Sequence, residues 1–132
     1  MGKIGIRDDV LLKPHDLSEE ELATIRQHPV IAAEILGPIH GAKEIADIVL
    51  AHHECPDGSG YPRGSKGVEI PLEARIVRVA DVFSSLIEER PYKHALEVDR
   101  AMETIGALAG TKLDVDAARA LQQLVDEGAP VL

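Results

Sequence analysis

The stretch that decides the fold reads His52-His53-Glu54-Cys55-Pro56-Asp57-Gly58-Ser59-Gly60-Tyr61-Pro62. It starts where a predicted helix ends, and it opens a Gly- and Pro-rich segment that runs to Pro71 and excludes regular helix. Glycine permits left-handed backbone angles and the close approach of another chain or a ligand. A loop of this length in a compact domain is usually functional or disordered, and the simpler alternative is an ordinary surface loop.

Before this loop, the pattern predicts three helices. Ser18-Glu19-Glu20-Glu21 reads as a capping box that starts the first helix, which carries Leu22 and Ile25 inward and ends near His28. Pro29 disfavours a helical residue before it and can open the second helix, which Gly37-Pro38 stops. The third helix is predicted from about Ala42 to His53, with one buried face formed by Ile45, Ile48, Val49 and His52.

After the loop, three more helices are predicted. The first is strongly apolar and runs from about Leu72 to Ile87; the others run from about Val98 to Ala109 and from Val115 to Glu127. Gly110 and Gly128 stand where C-terminal stops belong. No alternating strand pattern occurs, so the predicted class is all-α with a long ordered loop in the middle.

Composition indicates one domain, residues 1–132, with 45% apolar residues and a formal net charge of −9. The acidic balance argues against duplex nucleic acid and against an anionic membrane surface as partners. Cys55 is the only cysteine, so a reducing, cytoplasmic location is expected. No apolar run approaches the roughly 20 residues of a membrane span.

Several side chains could bind a metal ion. His52 and His53 can turn toward one pocket only if their helix ends there, and neutral imidazole is a common ligand for zinc, iron and manganese. Asp81 lies in a helix that is apolar nearly all round, so its carboxylate needs a cation, a metal or strong hydrogen bonds. The alternatives are packed core histidines and an ion pair of Asp81 with Arg75 or Arg78. His28 could point inward or could interact with a helix dipole.

The loop resembles the HHExxDGxGYP signature of HD-GYP domains, which is highly specific. Its matching positions include Glu54, Asp57, Gly58, Gly60, Tyr61 and Pro62. Other segments are similar to the same family along essentially the whole chain: residues 2–6 (GKIGI), 13–20, 70–71, 74–76, 79–81, 90–93 (RPYK) and 109–111 (AGT).

This resemblance implies an HD-domain-like helical bundle and a bacterial signalling domain that hydrolyses cyclic di-GMP with clustered iron or manganese. It places metal ligands at His28, His52, His53 and Asp81. It places phosphate-binding residues at Lys3, Arg90 and Lys93, with Lys3 also a catalytic position.

The sequence also departs from the family pattern. The family's HD pair and its upstream helices would precede Met1, and His15-Asp16 spells HD only by coincidence in a loop. Ser84 and Ser85 replace an acid and an alanine, and Leu113 replaces an aromatic residue. Either Met1 is an internal codon of a longer chain, or the domain lacks these helices and covers the apolar surface as a homodimer.

Three functions follow as hypotheses. The first is a phosphodiesterase whose catalysis is compromised, with one metal ion or none. The second is a non-catalytic module that binds cyclic di-GMP, or a diguanylate-cyclase-type protein through the Gly-Tyr-Pro loop. The third is a structural remnant in which the histidines are packed and no metal binds.

Overall fold

A computed structural model of the chain describes residues 18–89, 91 and 93–130. These ranges contain six α-helices and no β-strand, which confirms the predicted all-α class. A short 3-10 turn, Gly67–Glu69, lies near the end of the long loop, and an isolated bridge pairs Ala109 with Leu113. The helices are α1 Glu19–Arg26, α2 His28–Leu36, α3 Lys43–Ala51, α4 Leu72–Ile87, α5 Val98–Leu108 and α6 Val115–Asp126.

The junction of α1 and α2 brings His28 into the interior. The Ser18 hydroxyl accepts a hydrogen bond from the Glu21 amide at 3.1 Å, which is the serine half of the predicted capping box. Only Gln27 separates the two helices, and Pro29 occupies the first turn of α2. His28 is therefore the first residue of α2, where it is buried.

The predicted buried face of α3 is wrong at Ile45. That side chain is 53% exposed, whereas the neighbouring Ala46 is buried. Helices α2 and α3 pack against each other through small residues, with Ala32 and Ala46 both buried. The buried face of α3 therefore includes Ala46, and Ile45 lies outside it.

Helix α4 lies between the two halves of the fold and contacts α3, α5 and α6. Its Val79 and Phe83 enter an apolar core with Met102 and Ile105 of α5. Although α4 is apolar nearly all round in sequence, Leu72, Ile76 and Val77 are exposed. Only the side of α4 that faces α5 and α6 joins this core.

The last two helices end just before the glycines that were predicted to stop them. Gly110 and Gly128 adopt φ angles of 91° and 74°, in the left-handed region that favours glycine. Asp114 caps α6 by accepting from the Ala117 amide, and it also accepts from Arg75 of α4 at 2.9 Å. This partly buried ion pair ties α6 to α4.

Among the helices of the described ranges, none combines the length and the hydropathy that a membrane span requires.

Candidate metal centre

Three histidines meet where α2, α3 and the long loop come together. One ligand nitrogen from each of His28, His52 and His53 lies within 4.8 Å of the others. An ion bound about 2.1 Å from each nitrogen needs nitrogens no more than about 4.2 Å apart, so a small closure of the side chains suffices. The structure thus brings together three of the four residues predicted as metal ligands.

The end of α3 explains how two consecutive histidines reach one pocket. The helix ends at Ala51, and His52 is its C-terminal capping residue. The backbone then turns, and the rings of His52 and His53 lie 4.0 Å apart, centre to centre. The condition set by the sequence, that the helix must end at this pair, is met.

His28 and His52 are oriented in the same way. The Nδ1 atom of His28 lies 2.5 Å from the Ile25 carbonyl oxygen, and that of His52 lies 2.5 Å from the Val49 carbonyl oxygen. A carbonyl oxygen can only accept, so each Nδ1 carries the proton and each neutral ring has its lone pair on Nε2. Metal-binding histidines in proteins typically donate their other ring N–H in this way. These two residues therefore fit a transition-metal ion.

His53 has a different environment. Its Nδ1 accepts a hydrogen bond from a terminal guanidinium nitrogen of Arg78 at 3.1 Å. The Tyr61 ring stacks on the His53 ring, with centroids 5.0 Å apart and planes inclined by 13°. The His28 ring meets the His53 ring edge-on, with centroids 4.6 Å apart.

Tyr61 is half-buried, and its hydroxyl responds to several nearby charges. Burial raises the pKa of its hydroxyl; the nearby cations Arg78 and Arg26 oppose this rise, and Asp81 and Cys55 add to it. The Arg26 guanidinium lies 6.0 Å from the ring centre, at the limit of a cation–π contact. The pKa of Tyr61 therefore reflects burial first, and then the opposed charges of two arginines and of Asp81.

Asp81 is partly buried and lies outside the three-histidine group. Its negative charge contributes to the raised pKa of Tyr61, the ring that stacks on His53. The two arginines proposed as alternative partners have other contacts, Arg75 with Asp114 and Arg78 with His53. The metal-ligand role of Asp81 stays a prediction.

Glu54 organises the loop. It is only 2% exposed, and its two carboxylate oxygens accept from the backbone amides of Arg63 at 2.7 Å and Ser65 at 3.0 Å. A buried carboxylate with two backbone donors is satisfied without a metal ion. Glu54 thus fixes the loop beneath the histidines.

Gly60 permits the close approach of two parts of the backbone. A Cβ atom there would lie 2.4 Å from the His53 carbonyl oxygen and 2.4 Å from the Cys55 amide nitrogen. The adjacent Tyr61 amide donates to the same His53 carbonyl at 3.3 Å, and the Tyr61–Pro62 peptide bond is cis. Only glycine fits at this position without moving the main chain that carries His53.

Asp57 joins the loop to the turn between α5 and α6. Its Oδ1 accepts from the amide and the hydroxyl of Ser59, and Oδ2 accepts from the Lys112 ammonium at 3.2 Å. These bonds, the two from Ser59 foremost, lower the pKa of Asp57 to about 2. The Asp57 amide also donates to the Thr111 carbonyl at 3.0 Å. The sequence did not indicate the contribution of Lys112.

Of the three predicted phosphate-binding residues, the structure describes Lys93. Lys3 and Arg90 lie outside the described residues. The Lys93 ammonium donates to the Ser85 carbonyl at 3.0 Å, near the C-terminal end of α4. Its role in holding phosphate stays a prediction.

Residues 1–117 match a family described as "HD domain". The chain is 50% identical over 116 residues to the cyclic di-GMP phosphodiesterase response regulator RpfG of Xanthomonas campestris, covering 86% of this chain and 31% of that protein. It is 41% identical over 129 residues to a cyclic di-GMP phosphodiesterase of Thermotoga maritima, covering 96% of this chain and 35% of that protein.

Another relative differs in its named substrate. The 3'3'-cGAMP-specific phosphodiesterase 3 of Vibrio cholerae is 36% identical over 126 residues, covering 96% of this chain and 27% of that protein. A crystal structure of the cyclic GMP-AMP phosphodiesterase V-cGAP3 from V. cholerae superposes with a TM-score of 0.69 at 23% identity, covering 90% of this chain and 27% of that one. That likeness supports the helical fold. The chain spans about a third of the length of the curated relatives it matches. On this evidence the chain belongs to the HD domain family and, within it, to the HD-GYP type.

Proposed function

We propose that this chain carries the histidine part of a metal-dependent phosphodiesterase site that acts on cyclic di-GMP. The observation that supports this most directly is the convergence of His28, His52 and His53, with two of the rings oriented through Nδ1 as metal ligands are. The names of the relatives supply the substrate class.

In this proposal His28 and His52 hold the ion first, and His53 and Asp81 complete its coordination. Three imidazoles and one carboxylate suit iron or manganese. A divalent ion held there would stabilise the negative charge that develops on the phosphodiester. Lys3, Arg90 and Lys93 would orient the phosphates, and Lys93 would first have to leave the Ser85 carbonyl.

We further infer that turnover is slow. Within the described ranges, the metal group contains three imidazoles, and Asp81 is the one acid predicted to join them. Such a set suits a single ion better than a bridged pair. Ser84 also stands where the resemblance expects a second acid.

The test is turnover of cyclic di-GMP under anaerobic conditions with ferrous iron or manganese. His52→Ala and Asp81→Ala should each lower the rate by at least about 100-fold, more than removal of a group that only orients a ligand usually costs. His94→Ala is the matched control, because His94 is exposed and contacts only Glu89 among the bonds described. A rate that survives His52→Ala would refute the proposal.

Chelation gives an independent readout. A bound ion should raise the free energy of unfolding by mass action, by about 2.7 kcal/mol at a hundredfold excess over its dissociation constant, and the melting temperature rises with it. EDTA should therefore lower the melting temperature of the wild-type chain and of His94→Ala. It should not change that of His52→Ala, which binds no ion in this proposal. An unchanged melting temperature in all three would favour the packed structural remnant.

A second candidate is a non-catalytic binding module, and the order of the Gly-Tyr-Pro loop supports it. Glu54, Asp57 and Gly60 hold this loop in one shape, and Val68 beside it is 91% exposed. A preformed loop with an exposed apolar side chain can serve a diguanylate-cyclase-type partner. Absence of heat in a calorimetric titration with cyclic di-GMP would exclude the nucleotide-binding version.

The homodimer stays a prediction. The exposed side chains of Leu72, Ile76 and Leu124 on α4 and α6 give self-association an apolar surface. Light scattering of the purified chain tests it, and a monomer would count against it.

A further inference from the structure

Arg78 makes a contact that the proposed metal site does not require. Its side chain extends from α4 to His53 and donates from a terminal nitrogen to Nδ1 at 3.1 Å. Its Nε atom is buried and has no hydrogen-bond partner among the residues that the structure describes. His53 itself is only 7% exposed, so the guanidinium acts on this ring through little water.

The contact decides which form of His53 is present. Arginine nitrogens have hydrogens to donate and no lone pair to accept with, so the Nδ1 atom of His53 must be the acceptor. The neutral ring then carries its proton on Nε2. One nitrogen is engaged by Arg78 and the other is protonated, so this form of His53 offers no lone pair to a cation.

His28 and His52 have the opposite form. Their Nδ1 atoms donate to carbonyl oxygens, which places the lone pair of each neutral ring on Nε2. Two of the three clustered rings are thus in the form that a metal ion requires, and the third is not. At His53 the donor that sets this difference is the guanidinium of Arg78.

We propose that Arg78 controls the metal centre by holding His53 in the form that cannot bind a cation. All three histidines could coordinate one ion only after the guanidinium leaves Nδ1 of His53. His53 would then bind the ion through Nδ1 or, after the proton moves to Nδ1, through Nε2. The positive charge of Arg78 also opposes a divalent ion at this distance. This inference rests on the proposed function, because it concerns the same three histidines, and it makes Arg78 a positioning residue.

The first experiment is titration of the full chain with Mn²⁺ alone, followed by the electron paramagnetic resonance signal of free Mn²⁺. Arg78→Met removes the charge and the donors but retains a flexible apolar stem, and it should tighten Mn²⁺ binding at least about tenfold. Arg78→Lys retains a charge and a donor and should stay within a factor of about three of the wild type. Arg119→Met is the matched control, because Arg119 is exposed on α6 and pairs with Asp116; its affinity should equal that of the wild type.

A double-mutant comparison tests whether Arg78 affects Mn²⁺ affinity through His53. In the wild-type chain His53→Ala should change Mn²⁺ affinity little, because the ring is held by Arg78. In the Arg78→Met chain the same change should abolish the gain. This dependence is the coupling expected when one residue acts through another.

A spectroscopic experiment needs no variant and so does not depend on one that folds. The nitrogen shifts of the imidazoles in a ¹⁵N-histidine-labelled chain report which nitrogen carries the proton. Without metal, His53 should be protonated on Nε2, whereas His28 and His52 should be protonated on Nδ1. Finding His53 protonated on Nδ1 would overturn the proposal.

The outcomes separate the two claims. If the wild type binds Mn²⁺, His28→Ala and His52→Ala abolish binding, and folded Arg78→Met binds no more tightly, then the inference about Arg78 fails and the metal site stands. If neither the wild type nor Arg78→Met binds Mn²⁺, the proposed function fails, and the inference fails with it.

Discussion

The two halves of this fold are buried by different means. The core of α4, α5 and α6 is apolar, with Ala101, Ile105 and Leu113 almost completely buried. The histidine pocket buries polar groups instead: His28, His53 and Glu54 are the polar or charged residues classed as buried in the described ranges. Apolar packing is non-directional, whereas a buried polar group needs a partner in the right direction. The core should therefore determine stability, and the pocket should determine chemistry.

The largest expected effect is on the core. Ile105→Ala removes a side chain that is 1% exposed and should lower the free energy of unfolding by about 4 kcal/mol. Urea unfolding followed by circular dichroism measures this. The Mn²⁺ affinity of the folded fraction should not change, because Ile105 lies in the apolar cluster rather than in the pocket.

Ile35→Ala is the control for this prediction, because Ile35 also lies in a helix but is exposed. Its cost should stay within about 1 kcal/mol. If Ile105→Ala also weakened Mn²⁺ binding in the folded chain, the separation of the two halves would be wrong.

The next effect concerns the pocket backbone. In Gly60→Ala the added Cβ would lie 2.4 Å from main-chain atoms of both His53 and Cys55, and backbone cannot yield as a side chain end can. We expect a loss of about 3 kcal/mol, together with weaker Mn²⁺ binding because the displaced main chain directly follows His52 and moves its ring. Thermal unfolding and the Mn²⁺ titration together check both effects.

Gly106→Ala is the matched control. It lies within α5, where an added Cβ meets no atom within 4 Å. Alanine should stabilise this helix by about 0.5–1 kcal/mol and leave Mn²⁺ binding unchanged. Equal effects of the two substitutions would show that the backbone near Gly60 has room for a Cβ atom and that contact with the main chain of His53 and Cys55 does not require glycine there.

The sequence predicted features that depend on neighbouring residues. The Ser18 cap, the Pro29 boundary and the stops at Gly110 and Gly128 all lie in helix ends, where a few consecutive residues determine the backbone. The helix from Leu72 to Ile87 has the predicted bounds for the same reason. The meeting of His28 with His52 was implied by the family resemblance, because no local pattern links residues so far apart in the chain.

The features that sequence reasoning missed depend on long-range geometry. Arg78 was considered only as a partner for Asp81, yet it contacts His53, 25 positions earlier. Lys112 contacts Asp57 across 55 positions. Periodicity predicted an apolar face on α3 but did not predict that Ile45 is exposed while Ala46 is buried. A side chain's own helix predicts its face, but the neighbouring element determines its partner.

The smallest expected effect is a change in the acid sensitivity of the loop. The pKa of Asp57 is lowered from an ordinary 3.8 to about 2 by Ser59 and, to a lesser degree, by Lys112. A lowered pKa contributes stability that is fully present above the unfolded value and is lost as the pH falls toward 2. Asp57→Asn should therefore be less stable than the wild type at pH 7, and the difference should shrink below about pH 4.

Urea midpoints of both chains at pH 7, 4 and 2.5 test this prediction. Hydrogen bonds from Ala117 and Arg75 lower the pKa of Asp114 despite the opposing effect of burial, but Asp114 titrates in both chains and cancels in the comparison. Lys112→Ala should reproduce part of the change, since Ser59 still donates to the carboxylate. A difference between Asp57→Asn and the wild type that stays constant down to pH 2.5 would mean that Asp57 acts through the shape of the loop and not through its charge.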